Sequence, residues 1–508
     1  MGQVIVNKFN KYLFQILLLI LVALMKDGII YGDDAPQVVV KLEEAKGVNS
    51  VAISPDGKFV LSGTYDKVTL WDVSIGKKMK TLEGPTVSIY SVDFSPDGKY
   101  ALGGCSDKTL KLWDISTGKE IRTFKGHSDW VRSVAFSPDG KYALSGSDDG
   151  SIKLWEVSTG KKVKTFNWHN TDVYSVAFSP DGKKIVSSGR DYTIMDKFRR
   201  VPVGEHTIKV GDISDGKVKI TFKGHSNRIW SVAFSPDSKY ILSGSSDRTM
   251  KLWDISTEKE SATFRNHSDG ISSVVFSKTG LYAFSGSWDN TLKLWEISTK
   301  SEMRTFMGHS EGALSVMLTP DYKYAMSGSR DGTTRIWNIA TGKEIAQFIE
   351  FKDGEWVVIT PEGYYNVSEK GDTYLSVLPL PLGNVDYGMG EYRSTFFKPE
   401  VVAAALRLGD TERAVAEVLG GEKEKPVVTA VKEPVKGKQE VTEVKIPSPQ
   451  ETIEPPKVPH EVVSEVKEEN PPVIPDVKKE VPPIMKPPKP KDTTPPKITI
   501  LSPEIGRR

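Results

Sequence analysis

The stretch that decides the fold runs from Ser133 to Phe166 and reads SVAFSPDGKYALSGSDDGSIKLWEVSTGKKVKTF. It contains four segments in which apolar and polar residues alternate, and residues that favour turns separate them. The Ser-Pro-Asp-Gly turn combines a proline, which fixes φ, with a glycine, which accepts a positive φ. The pattern predicts a sheet of four short antiparallel strands, and such a sheet cannot bury both of its faces alone.

The same pattern recurs along the chain, and tryptophan marks its period. Tryptophans spaced 42 residues apart form two groups, Trp71, Trp113 and Trp155, then Trp253, Trp295 and Trp337. Between the groups, KVGDIS (Lys209–Ser214) matches KLWDIS (Lys251–Ser256), with Gly211 at the tryptophan position and a 14-residue insertion, Met195–Ile208. Seven such repeats predict an all-β ring in which each sheet packs on its neighbours.

Gly-His near the start of a repeat and Trp-Asp near its end give the chain a family resemblance. Over residues 38–340 it resembles the WD-repeat β-propeller family. The resemblance implies a buried hydrogen-bonded tetrad of His, Ser, Asp and Trp in each complete blade. Four blades carry all four residues: His127, Ser145, Asp149 and Trp155; His225, Ser243, Asp247 and Trp253; His267, Ser285, Asp289 and Trp295; His309, Ser327, Asp331 and Trp337.

Three blades depart from the tetrad pattern. Blade four keeps His169, Ser187 and Asp191 but lacks the tryptophan. Blades one and two lack the histidine, and in blade two Gly103 replaces the serine. Because they have fewer tetrad hydrogen bonds, blades one and two are expected to be less rigid.

No catalytic chemistry is predicted from these residues. A His-Ser-Asp set in one blade resembles a hydrolase triad, but the set repeats around the ring, as an active site would not. Cys105 is the single cysteine, which excludes intramolecular disulfides and paired-cysteine metal or redox sites. The protein is therefore predicted not to be an enzyme, with no catalytic, cofactor-binding or metal-binding residues.

The charge balance narrows the class of partner. The chain has 68 Lys and Arg against 66 Asp and Glu, a formal net charge of +2. This balance argues against a protein that neutralises a nucleic-acid backbone. The expected partners are other proteins, without nucleic acid and without a small-molecule substrate.

The N-terminus has the composition of a targeting segment. Lys8 and Lys11 precede Tyr12–Met25, an apolar run with a single polar residue. A basic region followed by a run of this length is typical of a secretory signal and short for a membrane span. Residues 1–35 are therefore predicted to direct export to the periplasm or cell envelope, as a cleaved signal or as an uncleaved membrane anchor.

The end of the ring and the tail carry further expectations. Trp356–Gly363 reads like SVAFSPDG and suggests a degenerate eighth blade within a propeller over residues 36–378, with Val38–Leu42 as its outer strand. The alternative is a seven-blade ring with a packed extension. Residues 379–421 are predicted to form a short helical extension, with helices at Val401–Leu408 and Thr411–Leu419, and residues 422–492 a disordered linker rich in Pro, Lys, Glu and Val.

The last segment, residues 493–508, is similar to the start of an Ig-like strand that is cut short. The arrangement resembles bacterial exported proteins in which a WD-repeat propeller and a TPEGYY segment, here Thr360–Tyr365, precede an Ig-like strand and a caspase-like peptidase domain. Two functions follow from these resemblances. The first is a scaffold for protein–protein interactions on the propeller face, and the alternative is the sensor half of a split or truncated caspase-like protease system.

Partner-binding residues are expected at two positions that repeat around the ring, the first just before the inner strand of each blade and the second just before the tetrad aspartate. Aromatic and arginine side chains concentrate binding energy in protein interfaces. The insertion in blade four adds a cationic tip that suits an acidic protein surface. The candidate residues are Tyr65, Tyr90, Trp130, Arg132, Tyr174, Arg190, Lys197, Arg199, Arg200, Arg228, Trp230, Trp288 and Arg330.

Overall fold

A computed structural model of the chain describes residues 37–84, 87–192, 204–378, 389–390 and 392–420. The predicted signal segment, the Pro-rich linker and the Ig-like strand all lie outside these described residues. Seven sheets dominate the described part, and each of the first six has four antiparallel strands in sequence order. The seventh has six strands.

Each repeat folds as one blade, and the strands of the blades run as follows. Blade one contains β2 (Val48–Ile53), β3 (Phe59–Thr64), β4 (Val68–Asp72) and β5 (Lys77–Thr81); blade two contains β6 (Ile89–Phe94), β7 (Tyr100–Cys105), β8 (Thr109–Asp114) and β9 (Glu120–Lys125). Blade three contains β10 (Val131–Phe136), β11 (Tyr142–Ser147), β12 (Ile152–Glu156) and β13 (Lys162–Phe166); blade four contains β14 (Val173–Phe178), β15 (Lys184–Tyr192), β16 (Gly204–Asp212) and β17 (Val218–His225). Blade five contains β18 (Ile229–Phe234), β19 (Tyr240–Ser245), β20 (Met250–Asp254) and β21 (Lys259–Phe264); blade six contains β22 (Ile271–Phe276), β23 (Tyr282–Ser287), β24 (Leu292–Glu296) and β25 (Ser301–Phe306). Blade seven contains β26 (Ala313–Leu318), β27 (Tyr324–Ser329), β28 (Thr333–Asn338), β29 (Glu344–Glu350), β30 (Trp356–Ile359) and β31 (Tyr365–Val367).

The seven inner strands stand side by side and close a ring, with β2 between β26 and β6. A serine in each inner strand accepts a hydrogen bond from a valine N–H of the next blade, at 3.1–3.2 Å. The set includes the closing contact, in which Val51 of blade one donates to Ser315 of blade seven. These bonds satisfy polar groups at every junction between blades.

Aromatic packing joins the blades further from the axis. A phenylalanine at the end of an outer strand contacts the tryptophan of the following blade, as in Phe124 and Trp155, whose ring centroids lie 5.8 Å apart. The same contact closes the ring, since Phe348 of blade seven lies 5.6 Å from Trp71 of blade one. All six repeat tryptophans are among the largest fully buried side chains. The ring therefore closes after seven blades.

The predicted eighth blade is wrong. Strand β30, which contains the sequence that resembles SVAFSPDG, pairs with β29 and extends the sheet of blade seven. The expected outer strand at Val38–Leu42 is also wrong, because β1 (Gln37–Val40) pairs with β32 (Leu375–Leu378) in a separate two-stranded sheet. In blade seven β29 holds the outer position and pairs with β30 on its far side, so the N-terminal strand cannot pair there.

The segment after the blades packs across the junction between blades seven and one. It contains α1 (Arg393–Phe396), α2 (Pro399–Leu408) and α3 (Thr411–Leu419), so the two predicted helices are confirmed. Proline begins α2, and Gly409 ends it in the left-handed region with φ 64°. Val402 of α2 belongs to a core cluster that also includes Trp71 and Phe348. No helix among the described residues is long and apolar enough to span a membrane.

A buried carboxylate also locks this junction. Glu350, at the end of β29, accepts hydrogen bonds from Lys67 at 2.8 Å, Lys78 at 2.6 Å and Thr81 at 3.3 Å, and also from Thr69. All four donors belong to blade one. Since both lysines are largely buried, the ion pairs link the two blades in a site of low solvent exposure.

Because strands alternate in direction within each blade, two kinds of loop meet at one face of the ring. The connections between blades and the turns between second and third strands lie there, and this face is called the upper face. The remaining turns, including Ser-Pro-Asp-Gly, lie on the lower face. Strands β15 and β16 of blade four are nine residues each and extend the upper face beyond the other blades.

Candidate protein-binding surface

The predicted tetrads form a closed set of hydrogen bonds in the four complete blades. The histidine Nδ1 lies 2.7–2.8 Å from an aspartate Oδ2, and its Nε2 lies 2.7 Å from the serine Oγ. The tryptophan Nε1 donates to the same serine Oγ at 2.8–2.9 Å. Each chain of bonds ties an inter-blade connection to the strands of its blade.

The tetrad serine is in no position to act as a nucleophile. Ser145 is fully buried, and its Oγ is bonded to both His127 and Trp155. The single thiol, Cys105, is also buried, and this burial raises its pKa. Among the described residues, no group of three or more His, Cys, Asp or Glu side chains could hold a metal ion.

Blade four replaces its missing tryptophan from another position. Trp168 stands where blades three, five and seven have the glycine of Gly-His, and a Cβ on Gly211 would lie 2.8 Å from its ring. Trp168 packs on Phe166 with centroids 5.4 Å apart and donates from Nε1 to the carbonyl of Gly216 at 3.0 Å. The indole therefore fills the space of the lost tryptophan, and the signal in the sequence is Trp-His in place of Gly-His.

The first repeated candidate position is a β-bulge in every blade. The pairing between first and second strands shifts register at one residue, for example between Val131 and Ser133. The seven bulged residues are Asn49, Tyr90, Arg132, Tyr174, Trp230, Ser272 and Leu314. These residues were predicted to lie just before the inner strands, but they lie within them. Because bulges redirect side chains, this one presents each residue at the upper face.

Blades two and three form the first cluster on the upper face. The guanidinium of Arg132 lies over the rings of Tyr90 and Trp130, with Cζ 4.4 and 4.7 Å from their centroids. Arg132 also forms a bidentate ion pair with Asp148, with Nε–Oδ1 2.9 Å and Nη2–Oδ2 2.7 Å. Trp130 remains 42% exposed, so this cluster offers an aromatic surface whose arginine is already paired.

Blades four to seven form the second cluster, a row of three aromatic rings. The centroids of Tyr174 and Trp230 lie 5.0 Å apart, and those of Trp230 and Trp288 lie 5.4 Å apart. Arg228 lies over the first two rings, with Cζ 5.9 and 5.8 Å from their centroids. Arg330 lies over Trp288 at 5.9 Å. The row joins residues that are far apart in sequence into one surface.

Neighbouring residues hold the row in place. Trp230 donates from Nε1 to Ser246 at 2.6 Å. Trp288 lies against two glycines, since a Cβ on Gly270 or Gly312 would come within 2.8 or 3.1 Å of it. Tyr65, which is 50% exposed, contacts Gly47 beside the backbone of Arg330 and so extends the surface to blade one.

The electrostatic environment differs between the two clusters. In the first cluster, burial raises the pKa of Tyr90. The charge of Arg132 is balanced there by its ion pair with Asp148. Burial also raises the pKa of Tyr174, and its hydroxyl donates to Asp172 at 2.8 Å. Burial lowers the pKa of His206, and the nearby arginines Arg190 and Arg228 lower it further. The second cluster is therefore the more cationic one.

The insertion in blade four is shorter as a loop than the sequence suggested. Residues Gly204–Ile208 of the predicted insertion are part of strand β16, and Arg190 pairs in register with His206 across the hairpin. The hairpin leaves the upper face beside the second cluster. Lys197, Arg199 and Arg200 lie outside the described residues. The other ten predicted partner-binding residues all lie on the upper face or on the strand ends beside it.

The family assignment rests on the repeats. The family model for the WD domain, G-beta repeat, matches residues 37–72, 76–114, 118–156, 160–195, 216–254, 258–296 and 300–338, more than half of the chain. The chain belongs to the WD-repeat family. WD-repeat propellers are in general platforms for protein interactions, and typically they are not enzymes. No curated protein matches this chain.

The boundaries of the family's repeats also explain why Val38–Leu42 was wrongly predicted as an outer strand. Each matched WD repeat begins with the outer strand of the preceding blade, and the first match therefore starts at Gln37. In this WD-repeat protein β29 takes that place in blade seven. The match covers the repeats alone and gives no support to the caspase-like alternative, which stays a prediction.

Proposed function

We propose that this WD-repeat protein is a non-enzymatic scaffold that docks other proteins on its upper face. The observation that carries the proposal is the convergence of aromatic and arginine side chains on the upper face, with at least one from each of the seven blades. Such residues supply most of the binding energy in protein interfaces, particularly where neighbouring groups exclude water.

The exposed members of the surface identify where a partner makes its first contacts. Trp130 and Tyr65 are 42% and 50% exposed, although both are large hydrophobic side chains. Trp130 packs against Tyr90 and Arg132. Tyr65 packs against Gly47. A partner that covers them gains apolar burial without first paying the full entropy of ordering two side chains.

Affinity capture with the intact chain tests the proposal. A Tyr65→Ala/Trp130→Ala double variant should lose the proteins that the parent chain captures, because it removes two exposed anchors from the upper face. The matched control is Leu281→Ala/Met303→Ala, which removes apolar side chains that are 58% and 52% exposed away from that face. Equal losses in both variants, or none in either, would contradict docking on the upper face.

We also propose that the protein is exported to the periplasm or cell envelope. The support is Lys8 and Lys11 before the apolar run Tyr12–Met25. Fusion of residues 1–40 to a reporter that is active only outside the cytoplasm should give an active reporter. A Leu18→Arg/Leu19→Arg version, in which the apolar run is broken, is the control that should be silent. An inactive parent fusion would contradict export.

A further inference from the structure

Two arginines of the second cluster are charged, exposed and without an ion-pair partner among the described residues. Arg228 and Arg330 both lie over aromatic rings, at opposite parts of the row Tyr174–Trp230–Trp288. By contrast, Arg132 in the first cluster is held by Asp148. An exposed guanidinium on an aromatic face keeps its donors directed outwards, where they can bind a carboxylate.

The β15–β16 hairpin of blade four contributes further residues beside the second cluster. His206 lies opposite Arg190 in the β15–β16 pairing, and its Nδ1 is buried without a hydrogen-bond partner. Both Arg190 and Arg228 act on it electrostatically, as does Asp247 in the opposite sense. His206 therefore adds an unused polar atom to a site whose nearest charged groups are mostly cationic.

We propose that the row Tyr174–Trp230–Trp288 binds an acidic peptide segment of a partner protein. The proposal rests on the proposed scaffold function and names the chemistry of its partner. Carboxylates of the segment pair with Arg228 and Arg330, and an apolar or aromatic side chain between them packs on Trp230 and Trp288.

The dimensions of the row fit an extended segment. Neighbouring ring centroids are 5.0 and 5.4 Å apart, and an extended chain advances about 3.3 Å per residue. The row therefore accommodates about three residues, with an acidic residue at each end. Because the cations at both ends have no ion-pair carboxylate among the residues that the structure describes, charge complementarity favours Asp or Glu at those positions.

Peptide selection on the purified full chain tests this proposal. A random peptide library displayed on phage, supplemented with overlapping peptides from residues 421–508, is selected on the parent protein. Enriched peptides should carry Asp or Glu on both sides of an apolar residue. Their affinity, measured by fluorescence anisotropy, should fall at least about tenfold in an Arg228→Ala/Arg330→Ala variant and should weaken as salt rises.

The control is Lys141→Ala/Lys323→Ala, which removes two exposed charges from the lower face and should bind as the parent does. Four outcomes overturn the proposal. The first three are no enrichment, enriched peptides without acidic residues, and acidic peptides that bind the arginine variant with unchanged affinity. Enrichment of peptides from residues 421–508 with the same arginine dependence also overturns it, because the occupant would then be this chain.

Failure of the acidic-peptide proposal is distinguishable from failure of the scaffold function. Capture that depends on Tyr65 and Trp130 but not on Arg228 and Arg330 would leave docking on the upper face intact. It would place the partner on Tyr65 and Trp130 and away from the two arginines.

Discussion

A single exchange of residues keeps blade four packed like its neighbours. Gly211 occupies the repeat's tryptophan position, and Trp168 supplies the indole from the connection before β14. Trp168 is only 7% exposed and belongs to the core cluster that also holds Phe166 and Val173. Loss of the repeat tryptophan therefore did not leave a cavity, because a second change placed an indole in the same space.

Replacement of Trp168 by alanine should destabilise the protein by about 3–5 kcal/mol, since a buried tryptophan leaves a large cavity. Trp130→Ala is the matched control and should cost far less, because Trp130 is 42% exposed. Urea unfolding followed by circular dichroism measures both. Equal stability of the two variants would show that Trp168 does not fill the tryptophan position.

Gly211→Ala tests the other half of the exchange. A Cβ at this position would lie 2.2 Å from the carbonyl oxygen of Lys217 and 2.8 Å from Trp168. The methyl group should therefore destabilise the protein by about 1–3 kcal/mol through overpacking. Gly390→Ala is the control, because an added Cβ there would contact nothing within 4 Å. A neutral Gly211→Ala in the same urea assay would contradict the tight fit.

The tetrads make the stability depend on pH. Burial opposes ionisation of Asp149, Asp247, Asp289 and Asp331, but their hydrogen bonds with histidine hold each pKa well below the usual value. Burial lowers the pKa of His309. In both cases the unfolded chain binds protons more readily than the folded one, so stability rises with pH.

The tetrad contribution to the urea midpoint should therefore be largest near pH 8, smaller at pH 5 and smallest at pH 3.5. The first fall follows protonation of histidines below their unfolded pKa of about 6.5, and the second follows protonation of aspartates below about 4. Buried Asp93, whose pKa is raised to about 7, acts in the opposite sense between about pH 4 and pH 7, so the tetrad contribution is measured as the difference between the parent and a tetrad variant. A His309→Gln variant should start less stable and lose less between pH 8 and pH 5. A His309→Gln variant whose midpoint changes with pH as much as that of the parent would contradict the assignment.

At the scale of elements, the junction between blades seven and one is built differently from the others. The cation that faces a carboxylate inside other blades, such as Lys251 with Glu260, is replaced in blade one by Thr69. Lys78 takes the position of the carboxylate. Glu350 then supplies the negative charge from the neighbouring blade, and α2 covers the junction from outside. Blade one thus exchanges an internal ion pair for one that spans the closing junction.

Glu350→Gln should destabilise the ring by about 3–5 kcal/mol, because it leaves two buried lysines without a carboxylate. Glu412→Gln makes the same chemical change in an exposed pair with Lys343 and should have no measurable effect. Urea unfolding gives the stability, and hydrogen exchange should show β5 and β29 exchanging first in the Glu350 variant. Unchanged exchange in those strands would contradict the role of Glu350 in closure.

At the scale of the whole molecule, the features that repeat with the 42-residue period could be predicted from the sequence. The 42-residue spacing predicted seven blades, and the spacing of His, Ser, Asp and Trp predicted the tetrads. The eighth blade failed because alternation identifies a strand but not the edge with which it pairs. Trp356–Ile359 has the pattern of an inner strand and yet adds to β29. The aromatic row joins Tyr174 to Trp288 through bulges and glycine contacts, which a period alone does not reveal.

Deletion of Gln37–Val40 tests whether the ring closes without the N-terminal strand. Among the described strands it pairs with β32 alone, and Val38 and Val40 are half-buried against a core cluster that includes Val357 and Val377. The loss should be about 2 kcal/mol, smaller than for Glu350→Gln, and the particle mass in light scattering should equal that of the parent. If β1 instead closed the ring, its removal would expose the edge of blade seven, and edge pairing between molecules would produce aggregates. Aggregation of the deletion variant, with a stable Glu350→Gln protein, would therefore transfer the closing role from Glu350 and Phe348 to the N-terminal strand.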